Sequence, residues 1–402
     1  VSGLRARRLA ARRSERRRAA RRSAMVAAAS VVVAVGTATG MLTAFGDDGG
    51  ADEAGPRVTR SPRTDSPPAT PTPSASTTPP ASASPSPSPS PSKEASPSPS
   101  PGMTGRKKPR TTTAASTRLY RHPDSQVLEW VQAHPDDPRR DVIASRIADH
   151  PAAVWFADFT PENITSRVRA VTSDAAAQGR VPVIVPYVIP GRDCGGYSEG
   201  GAPDLDAYDD WIDRFAAGLG SGEVIVVLEP DSVAQAECLS DGERADRFAS
   251  LARAGRVMKE ADPRARVYFD AGHSGWHAPD RQAEWLKQAG AASAASSDGI
   301  FSNVSNFHTT ADEITHDRAV LDALGGPASL GAVIDTSRNG NGAPPDGEWC
   351  DPDGRRIGRA PTLSTGMGRI DAYLWVKLPG ESDGCKGSPG TFTPSYAYDL
   401  VR

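Results

Sequence analysis

This chain lacks the sequence patterns of the commonest cofactor-dependent chemistries. Its seven histidines include no HExxH motif, which excludes the familiar zinc-hydrolase arrangement. It has no GxxxxGK[ST] loop to cradle a phosphate. Its four cysteines, Cys194, Cys238, Cys350 and Cys385, include no CxxC, so neither a redox dithiol nor a thiolate metal site is expected. The expectation is an activity with no cofactor and no metal.

Apolar residues nearly vanish from about Gly55 to Thr117, where "ASASPSPSPSPSKEASPSPSP" is representative. Such a stretch cannot build a core, and proline at every second residue favours extended polyproline II. At ~3.1 Å per residue, roughly 50 such residues reach on the order of 150 Å. Residues 47–117 are thus expected to be a disordered linker. Ahead of it, residues 1–22 hold ten Arg and one Glu, and an apolar run extends from Ala24 to Phe45. Basic then apolar is the pattern of an export signal or a signal anchor over 1–46. The apolar run is long enough to span a bilayer, with the basic block left on the cytoplasmic side. The expected location is extracellular, either free or held at the membrane by this segment.

Taking the +9 of residues 1–22 from the formal net charge of −3 leaves −12 for the remainder. An acidic exported chain has no basic face for phosphates, so nucleic acid is not an expected partner. Residues 118–402 remain as one catalytic-sized domain, close to the usual size of an α/β barrel.

Within that domain, apolar strand-like runs alternate with Ala-rich helical stretches. The runs are "VWFADF" (154–159), "VPVIVPYVI" (181–189), "EVIVVLEP" (223–230), "RVYFDAG" (266–272), "GIFSNVSNF" (299–307), "GAVIDTS" (331–337) and "YLWVKLPG" (373–380). Between them "LDAYDDWIDRFAAGLG" places Leu205, Tyr208, Ile212, Phe215 and Leu219 at helical spacing. Alternating strand and helix predicts parallel strands with helical crossovers.

The run ends deliver Asp158, Asp193, Glu229 with Asp231, Asp270 with His273, Asn306, Asp335, and Lys377 with Glu381. One such Asp is commonly just a turn or cap residue. Nearly every run ending this way is not explained by capping, because a parallel barrel gathers its strand ends at one face. Several carboxylates in one cleft suit glycoside hydrolysis, where one acid protonates the leaving oxygen and a second carboxylate acts on water or carbon. Trp276 and Trp349 on loops suit flat sugar faces, whereas Trp130, Trp211 and Trp285 lie in helical patterns and are expected in the core. An even cysteine count in an exported protein favours disulfides. Of three pairings, Cys194–Cys238 with Cys350–Cys385 closes two loops at the strand ends and tethers the loop carrying Asp193.

"VPYVIPGRDCG" and "VIVVLEPDSVA", followed in order by "DAGHSGW", "IDTSRNGNG", "EWCDP" and "WVKLPGESDGC", resemble glycoside hydrolase family 6, the inverting cellulases, in an endoglucanase-like form of actinobacterial type. The resemblance covers nearly all of 118–402 and implies a distorted seven-stranded parallel β/α barrel. It implies Asp193 as general acid, Asp158 as the carboxylate tuning it, Asp335 as base and Asp231 as a structural or electrostatic carboxylate. His273, Trp276, Asn306, Trp349, Lys377 and Glu381 fall on substrate-contact positions. Glu199 departs from the family pattern, where a small residue is usual, and Val233 stands for Leu or Ile. The implied partner is a β-1,4-glucan, cleaved by a monomer with inversion. The 37 residues between Asp335 and Tyr373 are too few for a long roof, which favours an open cleft and internal attack. Three alternatives stay open: a cellobiohydrolase of the same family, a wall-tethered glucan-binding protein without activity, and a retaining glycosidase on an eight-stranded barrel.

Overall fold

The computed structural model describes residues 118–402. The export segment and linker expected over 1–46 and 47–117 lie outside the described residues. Seven parallel strands stand in sequence order: β1 (Val154–Phe156), β2 (Val183–Pro186), β3 (Val224–Leu228), β4 (Ala265–Asp270), β5 (Gly299–Ser302), β6 (Gly331–Asp335) and β7 (Ile370–Leu374). Each pairs only with its sequence neighbours, and the sheet curls into a half-barrel.

Alternation along the strands explains the two cores. Val183, Val185, Ile225, Val227, Tyr268, Phe301, Val333, Ala372 and Leu374 face inward and fill the barrel. Ile184, Val226, Val267, Phe269, Ile300, Ala332 and Ile334 face outward, against the helices. Buried on both sides, the strands read as continuous β-branched runs, as parallel strands do.

The helices are α1 (Gln126–Ala133), α2 (Ile164–Ala177), α3 (Leu205–Ala216), α4 (Asp241–Ala261), α5 (Pro279–Gln288), α6 (Thr310–Leu324) and α7 (Pro394–Val401), with a short helical turn at Arg140–Ile143 running into a π turn. Local chemistry starts several of them. Asp204 caps α3 by accepting from Ala207 N at 2.8 Å, Ser240 and Glu243 form a capping box on α4, and Pro279 opens α5. Tyr208, Trp211, Ile212 and Phe215 bury one face of α3 completely. Trp211 and Trp285 are core residues, while Trp130 is only partly buried.

Between β1 and β7 the ladder is not made. One backbone bond, Ala153 N to Trp375 O at 2.9 Å, and one indole bond, Trp155 Nε1 to Val376 O at 2.8 Å, join the two edges. The last strand lies earlier than the apolar run 373–380 predicts, at 370–374. The chain leaves the sheet after Leu374, because Trp375 packs outward against Val127, Val131 and Ile147. Among the described residues no helix is long and apolar enough to cross a membrane.

Candidate active site

The strand ends open into one cavity of about 1600 Å³. It runs from the β1–β7 seam, past Trp155 and Asp158, over Asp193 and Asp231, to His273, Trp276 and the loop carrying Trp349. Left-handed backbone concentrates here. Asp193 (φ 58°), Cys194 (φ 47°), Glu229 (φ 48°), Asp231 (φ 68°), Ser305 (φ 58°) and Asp351 (φ 49°) all follow strands at this face. Non-glycine residues held this way cost about 1–3 kcal/mol each and persist where surrounding contacts enforce them.

Those contacts can be named. Glu229 is fully buried, and its carboxylate takes Val188 N at 3.1 Å and Ile189 N at 2.9 Å, tying the end of β3 to that of β2. Its burial raises its pKa to about 7, against those two amide bonds. Arg192 stacks on Tyr187 at 4.5 Å and donates to Ala157 O and Ser198 O, both at 2.8 Å. Ser198 N in turn donates to Asp193 at 2.7 Å, closing a turn around that carboxylate. Cys194 is bonded to Cys238, with Cα atoms 6.1 Å apart, and Cys350 to Cys385, at 5.8 Å. Both expected pairs are present.

Asp231 has the environment of a carboxyl that keeps its proton. Burial raises its pKa well above the usual carboxylate range, and the charges of Asp270 and Asp193 raise it further. Asp270 is itself buried, and accepts amides from Val233 at 3.0 Å, Ala234 at 2.7 Å and Gly272 at 3.0 Å. Asp158 lines the cavity rim with its side chain 79% exposed, 4.0 Å from Arg167.

Asp335 requires a correction. It is 1% exposed and does not line the cavity. Its carboxylate is occupied by backbone amides: Ser337 at 2.9 Å, Lys377 at 3.1 Å, Ser305 at 3.2 Å and Val376 at 3.3 Å. A group so enclosed reaches no substrate water; it pins the β5, β6 and β7 loops together.

The carboxylate facing the cavity on that side is Asp383, which the strand-end argument missed. Its oxygens meet Arg338 at 2.7 Å and Lys377 at 3.4 Å. Asp351 holds the loop beneath it, accepting Ser382 Oγ at 2.5 Å and the amides of Asp383 at 2.8 Å, Lys386 at 2.9 Å and Cys385 at 3.0 Å. A signal was available in the sequence: Asp383 stands two residues from Cys385, much as Asp193 adjoins Cys194.

His273, Trp276, Asn306, Trp349, Lys377 and Glu381 all line the cavity. His273 stacks on His308 at 4.3 Å and lies 5.1 Å from Trp276. Burial first, then the neighbouring histidines, lower its pKa to about 3, so it is a neutral hydrogen-bonding ring. Burial raises Glu381 to about 7, against Lys377 and Arg338. Lys377 pairs with Asp383, so its charge is spent on positioning that carboxylate. Trp155 and Tyr197 also line the cavity and were not singled out by the sequence argument.

The family model described as glycosyl hydrolases family 6 matches residues 112–397. The chain is 51% identical over 292 residues to Endoglucanase 1 of Streptomyces sp. (strain KSM-9), covering 72% of this chain and 80% of that one. It is 47% identical over 289 residues to Endoglucanase A of Thermobispora bispora, covering 72% of this chain and 62% of that one. Among solved structures, the endoglucanase Cel6 from Mycobacterium tuberculosis, in complex with methyl-cellobiosyl-4-deoxy-4-thio-β-D-cellobioside, superposes with a TM-score of 0.65. It is 38% identical, over 70% of this chain and 96% of that one.

Proposed function

The chain belongs to glycosyl hydrolases family 6, and from that premise we propose that it is an endo-β-1,4-glucanase cleaving cellulose and related β-glucans with inversion. The observation that carries the reading is the contrast between Asp231 and Asp383 across one cavity. The first is a carboxyl whose surroundings hold its proton; the second is a carboxylate fixed by two cations. Glycoside hydrolysis by inversion needs such a pair, one group to give a proton to the leaving oxygen and one to receive water's proton.

In this reading the roles implied by motif resemblance are redistributed. Asp231, not Asp193, is the general acid. Asp193 is the adjacent charge that keeps Asp231 protonated and helps it recover its proton after the bond breaks. Asp383, not Asp335, receives the proton from water. Asp231 follows β3 and Asp383 follows β7, on different walls of the half-barrel, which suits the ~6.5–9.5 Å separation that admits a water between acid and base. His273, Trp276, Trp349 and Trp155 bind sugar rings by hydrogen bonds and flat apolar contact.

The substrate class is supported by the names of the relatives and by the thio-oligosaccharide bound to the Mycobacterium tuberculosis enzyme. Export and monomeric action remain part of the proposal and rest on the N-terminal composition and the domain size. The decisive experiment follows reducing sugar and viscosity together on soluble carboxymethylcellulose. Endo action drops viscosity early, at low sugar release. Sugar release without that drop sinks internal attack, and no release sinks the activity.

A further inference from the structure

Two of the three large apolar side chains exposed among the described residues touch each other. Tyr197 is 59% exposed and Trp349 53% exposed, with ring centroids 5.7 Å apart and planes tilted by 49°. They come from different loops, one following β2 and one following β6. Each loop is tied beside its ring by a disulfide, at Cys194 and at Cys350. Neither ring belongs to a buried cluster, so core packing does not account for them, and both line the catalytic cavity.

We infer that Tyr197 is a substrate-contacting residue, which joins Trp349 in a two-ring sugar platform at the cavity rim and sets the preference for longer chains. This rests on the glucanase reading above.

Three features of the loop support it. First, Tyr197 lies against Gly384, where an added Cβ would stand 3.1 Å from its ring and displace it by a few tenths of an ångström. The ring therefore has a defined seat next to Asp383. Second, Tyr197 is inside the turn closed by the Ser198 N to Asp193 bond at 2.7 Å. A sugar resting on it is placed by the same turn that holds Asp193. Third, aromatic rings left exposed on rigid supports lose little conformational freedom when they bind, and their faces match the apolar faces of pyranose rings. Both rings are more than half exposed, so the platform stands at the outer edge of the cavity, where a chain that extends beyond the reacting sugars rests on it.

The test compares wild type, Tyr197→Ala and Tyr197→Phe on cello-oligosaccharides from cellotriose to cellohexaose. The expected result is a loss of about 3- to 10-fold in kcat/KM for Tyr197→Ala on cellohexaose, carried by KM. Cellotriose should be nearly unaffected, and Tyr197→Phe should keep the wild-type length dependence. An equal loss at every length, carried by kcat, overturns the proposal, because the residue would then only support the Asp193 turn. A phenylalanine variant as impaired as the alanine one overturns it too. Calorimetric titration of cellohexaose separates this outcome from failure of the glucanase reading. Were the wild type to bind without cleaving, weaker binding by Tyr197→Ala would still support the platform, and equal binding would overturn it.

Discussion

Asp193 faces Asp231 from the neighbouring strand end, and its charge adds to burial and to the charge of Asp270 in raising the pKa of Asp231 well above the usual carboxylate range. Asp193 accepts the Ser198 amide at 2.7 Å, and burial favours the neutral form of Asp231.

Replacing Asp231 with Asn should remove most polysaccharide hydrolysis, by ~10²–10⁴-fold, the usual contribution of general acid catalysis. Binding of cello-oligosaccharides should survive. Aryl cellobiosides with good leaving groups need less protonation and should lose less. Steady-state rates on both substrate classes check this, and equal losses would return the acid role to Asp193.

Asp193→Asn should move the basic limb of the kcat/KM profile to lower pH. The sign follows from linkage: the neighbouring negative charge raises the pKa of Asp231, so its removal lowers it. The active form is the protonated one, and it is then lost at a lower pH. A profile that drops in height with an unmoved basic limb would assign Asp193 a purely structural part.

Asp383→Ala and Asp335→Ala should fail differently. The first removes the group facing water, and azide, a small nucleophile needing no base, should restore part of the rate. The second strips a buried acceptor from four amides, each left unsatisfied at about 1–3 kcal/mol. It should lower Tm sharply and give no azide rescue. Rescue of Asp335→Ala, with none for Asp383→Ala, would restore the original assignment.

Stability should fall as pH rises from about 4.5 to about 7, through Glu229 and Glu381. Burial raises both to about 7 in the folded state, against 4.5 when free. The folded protein therefore binds more protons than the unfolded chain in that window, and each group contributes up to ~1.4 kcal/mol per pH unit. Glu381→Gln should flatten the slope of denaturation free energy across it. An unchanged slope would mean that Glu381 is solvated in the folded protein.

Reducing both disulfides should destabilise the domain by about 3–4 kcal/mol per bond on loop-entropy grounds, for separations of 44 and 35 residues. Thermal melts with and without reductant measure the loss, and non-reducing peptide maps check the pairing.

Much of the fold is written locally. β-branched runs buried on both faces declare parallel strands, and the helical spacing of Tyr208, Ile212 and Phe215 declares α3, because each pattern follows from the periodicity of its own backbone. The cysteine pairing and the cluster of acids at one face follow from topology that alternation already implies. Residue roles are another matter. Asp335 and Asp231 look equivalent in sequence, an acid at the end of an apolar run. Only folding wraps the first in four amides and sets the second beside Asp193 and Asp270. The same holds for Asp383, which becomes a cavity wall because Arg338, from the segment after β6, and Lys377, earlier in its own segment after β7, converge on it. Tyr197 meets Trp349 across more than a hundred residues of chain. Solvent access and neighbouring charge decide what a carboxylate or a ring can do, and both are properties of the packed molecule, which no local stretch contains.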